Sequence, residues 1–214
     1  MMTHQLHIDV FFDFICPWCL IGKRQLQIAI KQLQRTHPDV KVKLLWHGVQ
    51  LIPQLAAEGV PFNEFYLNRL GSASAVRARQ TQVHQAAEVV GVEINFDRIE
   101  RMSNTAKAHY LFETALNVGS AEQCDLLLER LFSAYFHYSE DIGDTAVLVK
   151  ISEACGFTDD ALKNSLAKHE PFESANTRGN GVPYFIFNER LALAGAHPAD
   201  VLYKAMLEAL ATQG

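Results

Sequence analysis

Two cysteines three residues apart, Cys16 and Cys19 in the run Cys16-Pro17-Trp18-Cys19, stand where an apolar stretch ends and a long helical pattern begins. Positions i and i+3 in the first turn of a helix share a face, so their sulfurs can close a small disulfide ring. A helix start also offers unpaired N–H groups and partial positive charge, which favour thiolate over thiol; reactive Cys-x-x-Cys sulfurs reach pKa values of about 3.5–7.5 in this way. The expected chemistry is thiol–disulfide exchange, with Cys16 as the nucleophile nearer solvent and Cys19 as the resolving thiol.

The elements around the pair must hold it at a strand end. His7 to Phe14 reads as a strand; Leu20, Lys23, Leu26, Ile30 and Leu33 recur at helical spacing until His37-Pro38; Val40 to Trp46 alternates as a second strand. Strand, helix, strand implies a parallel crossover, and open α/β sheets carry their chemistry at the ends of such strands. From Asn63 to about Ala167 strand signals vanish, and helices are predicted over 73–90, 99–117, 121–138, 145–155 and 160–168, several of them separated by glycine-containing breaks. A hairpin then follows, Tyr184 to Phe187 and Arg190 to Ala194 around Asn188-Glu189, with a last helix from Pro198 to Leu210. The expected organisation is one sheet domain made of residues 1–60 and 177–214, with an all-helical domain of residues 61–176 inserted.

The chain of 214 residues is 49% hydrophobic and 20% charged, enough apolar surface to close a core without disulfide staples. Its formal charge is −5 and its cations are scattered, so no basic stripe marks a nucleic-acid partner. No apolar run reaches the roughly 20 residues that span a bilayer, and Met1 to Asp9 lacks a basic and apolar leader pattern, so the expected location is cytoplasmic, without membrane contact. Four cysteines are too few for a disulfide scaffold. Cys124 and Cys155 fall in helical patterns and read as buried, inert thiols.

The stretch from Phe12-Asp13-Phe14-Ile15 through the Cys16–Cys19 motif to Ile21-Gly22-Lys23-Arg24 resembles the DsbA family of thioredoxin-fold oxidoreductases. So do Asn104-Thr105 with Ala108-His109, the turn Asp141-Ile142-Gly143-Asp144, Gly181-Val182-Pro183, and Gly195-Ala196. The nearer likeness is to the cytoplasmic FrnE-like branch, and it spans almost the whole chain. It implies an α/β thioredoxin fold with a helical insertion, a redox-active Cys16–Cys19 disulfide with no bound cofactor, and protein or small-molecule thiol and disulfide substrates, glutathione among them as a candidate co-substrate. A monomer or a homodimer is expected.

The resemblance also implies that Pro183 follows a cis peptide bond and faces the sulfurs, presenting the Val182 backbone as an edge on which an extended substrate pairs. Gly59-Val60-Pro61 has the same letters but leads into a helix start, so the active-site proline is assigned to Pro183 alone. Pro17-Trp18 departs from strongly oxidising relatives, which carry a histidine before the second cysteine. Trp18 supplies no positive charge, so a potential below DsbA's strongly oxidising value of about −120 mV is expected. His197 stands where relatives often carry glutamine, and no second Cys-x-x-Cys occurs.

Other readings stay open. The kappa-class glutathione transferases and hydroxychromene carboxylate isomerases share this architecture, but they typically have serine at the position of Cys16. A zinc site would want two ligand pairs, and the nine histidines show no such spacing beside the single cysteine pair, so no metal is expected. Asp13 either accepts the proton leaving Cys19 or caps the turn. His109 either lines the cleft and binds substrate or glutathione, or is a packed helical histidine. Asn104 with Thr105 either reaches the cleft or starts a helix. Phe132, Tyr135, Phe136 and Tyr138 read as core.

Overall fold

The computed structural model describes residues 5–158, 160–168 and 170–211. Met1 to His4, the first part of the stretch read for a leader, lie outside them. In chain order the elements are β1 (Gln5–Phe12), α1 (Pro17–Thr36), β2 (Lys41–Gly48), β3 (Val60–Pro61), α2 (Phe62–Leu70), α3 (Ala73–Val89), β4 (Arg101–Met102), α4 (Ala106–Val118), α5 (Ala121–Phe136), α6 (Thr145–Ala154), α7 (Asp160–Leu166), β5 (Tyr184–Phe187), β6 (Leu191–Ala194) and α8 (Ala199–Ala211). Two compact units result, one from the residues up to Val49 together with those from Ser174 onward, the other from Gln50–Glu173.

The first unit is a four-stranded sheet in the order β2-β1-β5-β6. β1 runs parallel to β2, with Phe12 opposite Gly48, and antiparallel to β5, with Phe11 opposite Tyr184. Period-two alternation sends Leu6, Ile8 and Val10 to one face, where they meet Leu26, Ala29 and Leu33 of α1 and Leu202, Ala205 and Met206 of α8. Each large apolar side chain buried there contributes about 1.5–3 kcal/mol, which fixes the register, because a one-residue slip would turn the whole row outward. Residues 188–190 connect Phe187 to its partner Leu191, and Asn188 and Glu189 turn the chain at φ 47° and 59°, the left-handed region that tight hairpin turns use. Asn188 also accepts from His7 N at 2.9 Å and donates to Ala209 O at 3.1 Å, pinning the hairpin to β1 and α8.

The second unit is mostly helical but not wholly so. Arg101–Met102, inside the stretch expected to lack strands, pairs antiparallel with Val60–Pro61 just before that stretch. The helix predicted from Ile99 accordingly begins only at Ala106, after a short 3-10 turn at Phe96–Arg98 and β4. The cause is a local clamp: Arg101 donates to the carbonyls of Glu58 and Gly59 at 2.8 and 3.3 Å, holding β4 extended against β3. Gly59, at φ +67°, is required there because a methyl group on it would sit 2.4 Å from Met102 O. Phe132, Tyr135 and Phe136 are buried as expected, whereas Tyr138 is 55% exposed, with the Arg130 guanidinium 5.1 Å from its ring centroid.

Candidate active site

β1 ends at Phe12 rather than Phe14, because the chain turns at Asp13, whose carbonyl accepts the Cys16 N–H at 3.1 Å. That turn delivers Cys16 to the N-cap of α1 in an extended conformation, φ −88° and ψ 110°, with Pro17 in the first turn, where a missing N–H costs nothing. The Cys16 sulfur does what a serine or aspartate oxygen does at other helix starts: it accepts the N–H of Cys19, at 3.3 Å. The cysteines are side by side and both thiols are free. Trp18 and Pro17 are half-buried beside them.

Both cysteines are buried. Cys16 is 6% exposed and Cys19 3%, so exposure hardly separates them. Burial pushes the Cys19 thiol well above the ordinary range, its hydrogen bond to Cys16 and the charge of Cys16 add to that, a backbone hydrogen bond at Asp13 opposes, and the Asp13 charge adds again. The fully buried Asp13 thus lies within electrostatic reach of the resolving thiol.

Across from the pair, Val182–Pro183 is a cis peptide, and the Cys16 thiol donates to the Val182 carbonyl at 3.8 Å. Pro183 is held on two sides: its carbonyl accepts Gly195 N–H at 2.8 Å, and its ring lies over Gly22 of α1. Neither glycine was assigned a role from the sequence. No short-range pattern links Gly22 to a proline in another element; only the packing does. The half-buried His197 ring is bonded to Ala194 O at 2.9 Å.

Asn104 and His109 belong to the helical unit. The Asn104 amide is taken up by three bonds, donating to Leu55 O at 2.7 Å and accepting from Gln50 at 2.8 Å and Ala106 N at 3.0 Å, so Asn104 rather than Thr105 supplies the side-chain cap of α4. His109 is buried and its ring stacks on Phe172 at 4.8 Å. An open concavity of about 740 Å³ in the same unit is lined by charged residues engaged elsewhere: Arg101 in its clamp, Lys107 on Thr145, Asp141 on Ser103 and Asp144 as the cap of α6. Cys124 donates to Ala115 O at 3.2 Å, and burial raises its thiol as it does that of Cys155. Among the described residues no cluster of three or more His, Cys, Asp or Glu could hold a metal ion, and no helix is long and apolar enough to cross a membrane.

A family model, the DSBA-like thioredoxin domain, matches nearly the whole chain, residues 7–207. The chain belongs to the DsbA-like family. Its thioredoxin fold is assembled from two stretches of the chain, with the helical unit inserted between them in sequence. The uncharacterized protein YwbO of Bacillus subtilis (strain 168) is 29% identical over 212 residues, covering 94% of this chain and 96% of that one. The crystal structure of the probable DsbA oxidoreductase SCO1869 from Streptomyces coelicolor shares the fold of this DsbA-like chain at a TM-score of 0.83 and 20% identity, covering 96% and 90% of the two chains. The cytosolic disulfide reductase DsbM from Pseudomonas aeruginosa, solved with GSH, shares it at 0.57 and 14% identity, covering 97% and 96%.

Proposed function

We propose that this DsbA-like protein is a thiol–disulfide oxidoreductase working through its Cys-Pro-Trp-Cys dithiol, with Cys16 as nucleophile and Cys19 as resolving thiol. The observation that carries this reading is the hydrogen bond from Cys19 N to Cys16 Sγ at the N-cap of α1, which places one sulfur in the field of the helix start and the other directly behind it. In the reducing direction the Cys16 thiolate attacks a substrate disulfide, the S–S bond breaks, and one substrate sulfur leaves as thiolate. Cys19 then loses its proton and attacks Cys16 Sγ, expelling the second substrate thiolate and closing Cys16–Cys19; two electrons have passed to substrate. The reverse sequence oxidises a dithiol. Asp13 takes the Cys19 proton and an extended substrate pairs along the Val182 backbone; the electrostatic influence of Asp13 on Cys19 and the Cys16–Val182 contact support these roles.

Substrates are protein or small-molecule thiols and disulfides, with glutathione as the candidate co-substrate that returns the pair to its dithiol state and the cytoplasm as the compartment where it does so. DsbM, described as a cytosolic disulfide reductase and solved with GSH, supports this on the level of fold. A glutathione-dependent isomerase or transferase reaction would have no use for the second thiol, and Cys19 stands hydrogen-bonded to Cys16. The test is a Cys19→Ser variant mixed with oxidised substrate: a covalent adduct on Cys16, released by dithiothreitol, is expected. Glutathione-dependent turnover without any adduct or thiol exchange would overturn the reading.

A further inference from the structure

Gly22 lies three residues beyond Cys19 on α1, and the space its side chain would fill is occupied by Pro183. A methyl group at Gly22 would come within 3.0 Å of Pro183 Cγ, 3.3 Å of Phe185 Cζ and 3.4 Å of Pro183 Cβ. Carbon atoms rest at about 3.5–4.0 Å, so both neighbours would have to give way. Neither is loose. Phe185 is fully buried and pairs with Val10 in the sheet, and the Pro183 carbonyl is tied to Gly195. The displacement therefore falls on the spacing between the start of α1 and the Val182–Pro183 segment, which is the spacing between Cys16 Sγ and Val182 O.

We propose that Gly22 is a positioning residue for thiol exchange: its missing side chain sets how closely the Val182 edge approaches Cys16, and so how well an extended disulfide substrate is held in line for attack and release. The role rests on the oxidoreductase function proposed above. Gly22 acts through Pro183 and touches no reacting atom.

The experiment compares wild type with Gly22→Ala on two disulfides. One is 5,5′-dithiobis(2-nitrobenzoate), which meets Cys16 without needing a backbone edge; the other is a disulfide-linked peptide long enough to lie along it. Misplacement by 1 Å can cost about 10²-fold in rate, so a shift of a few tenths of an ångström predicts peptide exchange slowed about three- to tenfold, with the aromatic disulfide attacked at the wild-type rate. A merely structural role lowers only the thermal midpoint, through overpacking against Pro183 and Phe185, and leaves both exchange rates at the wild-type value. Unchanged peptide exchange, or equal slowing on both probes, overturns the proposal. Should Gly22→Ala fail to fold, Gly22→Ala with Phe185→Leu removes the second contact and the same two rates decide. A wild-type protein that reacts with neither disulfide would overturn the oxidoreductase function itself, an outcome distinct from wild-type exchange that Gly22→Ala leaves untouched.

Discussion

Cys16 Sγ and the carbonyl oxygen of Val182 lie 3.8 Å apart although 166 positions separate them in the chain. The contact exists because β1 and β5 pair antiparallel, so the turn after one strand and the segment before the other meet at the same end of the sheet. It puts the Cys16 thiol against the backbone of the segment just before β5, where Pro183 contributes no N–H.

The two cysteines should behave unequally. Cys16→Ser abolishes exchange, and Cys19→Ser accumulates mixed disulfides through Cys16, both read by mass spectrometry under non-reducing conditions. Adducts that form equally well on Cys19 in a Cys16→Ser protein would refute the assignment.

Resolution should speed up with pH well past the range of a free thiol. Burial, the largest cause, holds the Cys19 proton above the ordinary value. Since only the thiolate attacks, the rate of adduct release rises about tenfold per pH unit below the raised pKa. A plateau near the free-thiol value of about 8.5 would count against the shift. The same shift ties stability to pH: the contribution of the reduced Cys19 is complete below the unfolded value and is lost as pH climbs from there through the raised folded one. Denaturation of the reduced protein across that window, compared with Cys19→Ala, measures it.

Asp13→Asn separates two roles of one carboxylate. The Asp13 charge raises the Cys19 pKa, so removing it as a charge alone makes resolution faster. Removing a general base makes it slower, by about 10²-fold on the usual scale for such groups. Slower release of the adduct is expected, and faster release would leave Asp13 as a charge and nothing more.

Pro183→Thr should prolong mixed disulfides by adding an N–H donor and a different side chain beside the Val182 edge, while Pro61→Thr leaves exchange alone. Pro61 sits in the β3–β4 pair of the helical unit, so its cost is to stability. Adduct lifetimes and melting curves of the two variants decide, and a larger exchange defect at Pro61 would mean the wrong Gly-Val-Pro was chosen.

Asn104→Ala should destabilise by about 1–3 kcal/mol, since it strands partners at Leu55, Gln50 and Ala106 at once. Urea denaturation reads the loss. Intact stability with weakened substrate binding would instead assign Asn104 to the cleft.

The sequence by itself determined the periodic parts. Alternation in β1 and β2, the 3.6-residue repeat of α1 and α8, and the hairpin residues Asn188-Glu189 are local signals with local physical causes, and the observed elements follow them within a few residues. The cysteine pair was equally legible, since a spacing of three at a helix start is a property of a single turn. Tertiary structure decided what depends on distant atoms. The strand pair Val60–Pro61 with Arg101–Met102 comes from the Arg101 clamp on carbonyls some 40 residues away, which no periodicity encodes. The near-equal burial of Cys16 and Cys19, the elevated Cys19 thiol and the seating of Pro183 on Gly22 arise only when β1, α1 and β5 are packed together. Desolvation and van der Waals exclusion are set by what surrounds an atom in space, and the order of residues along the chain does not state it.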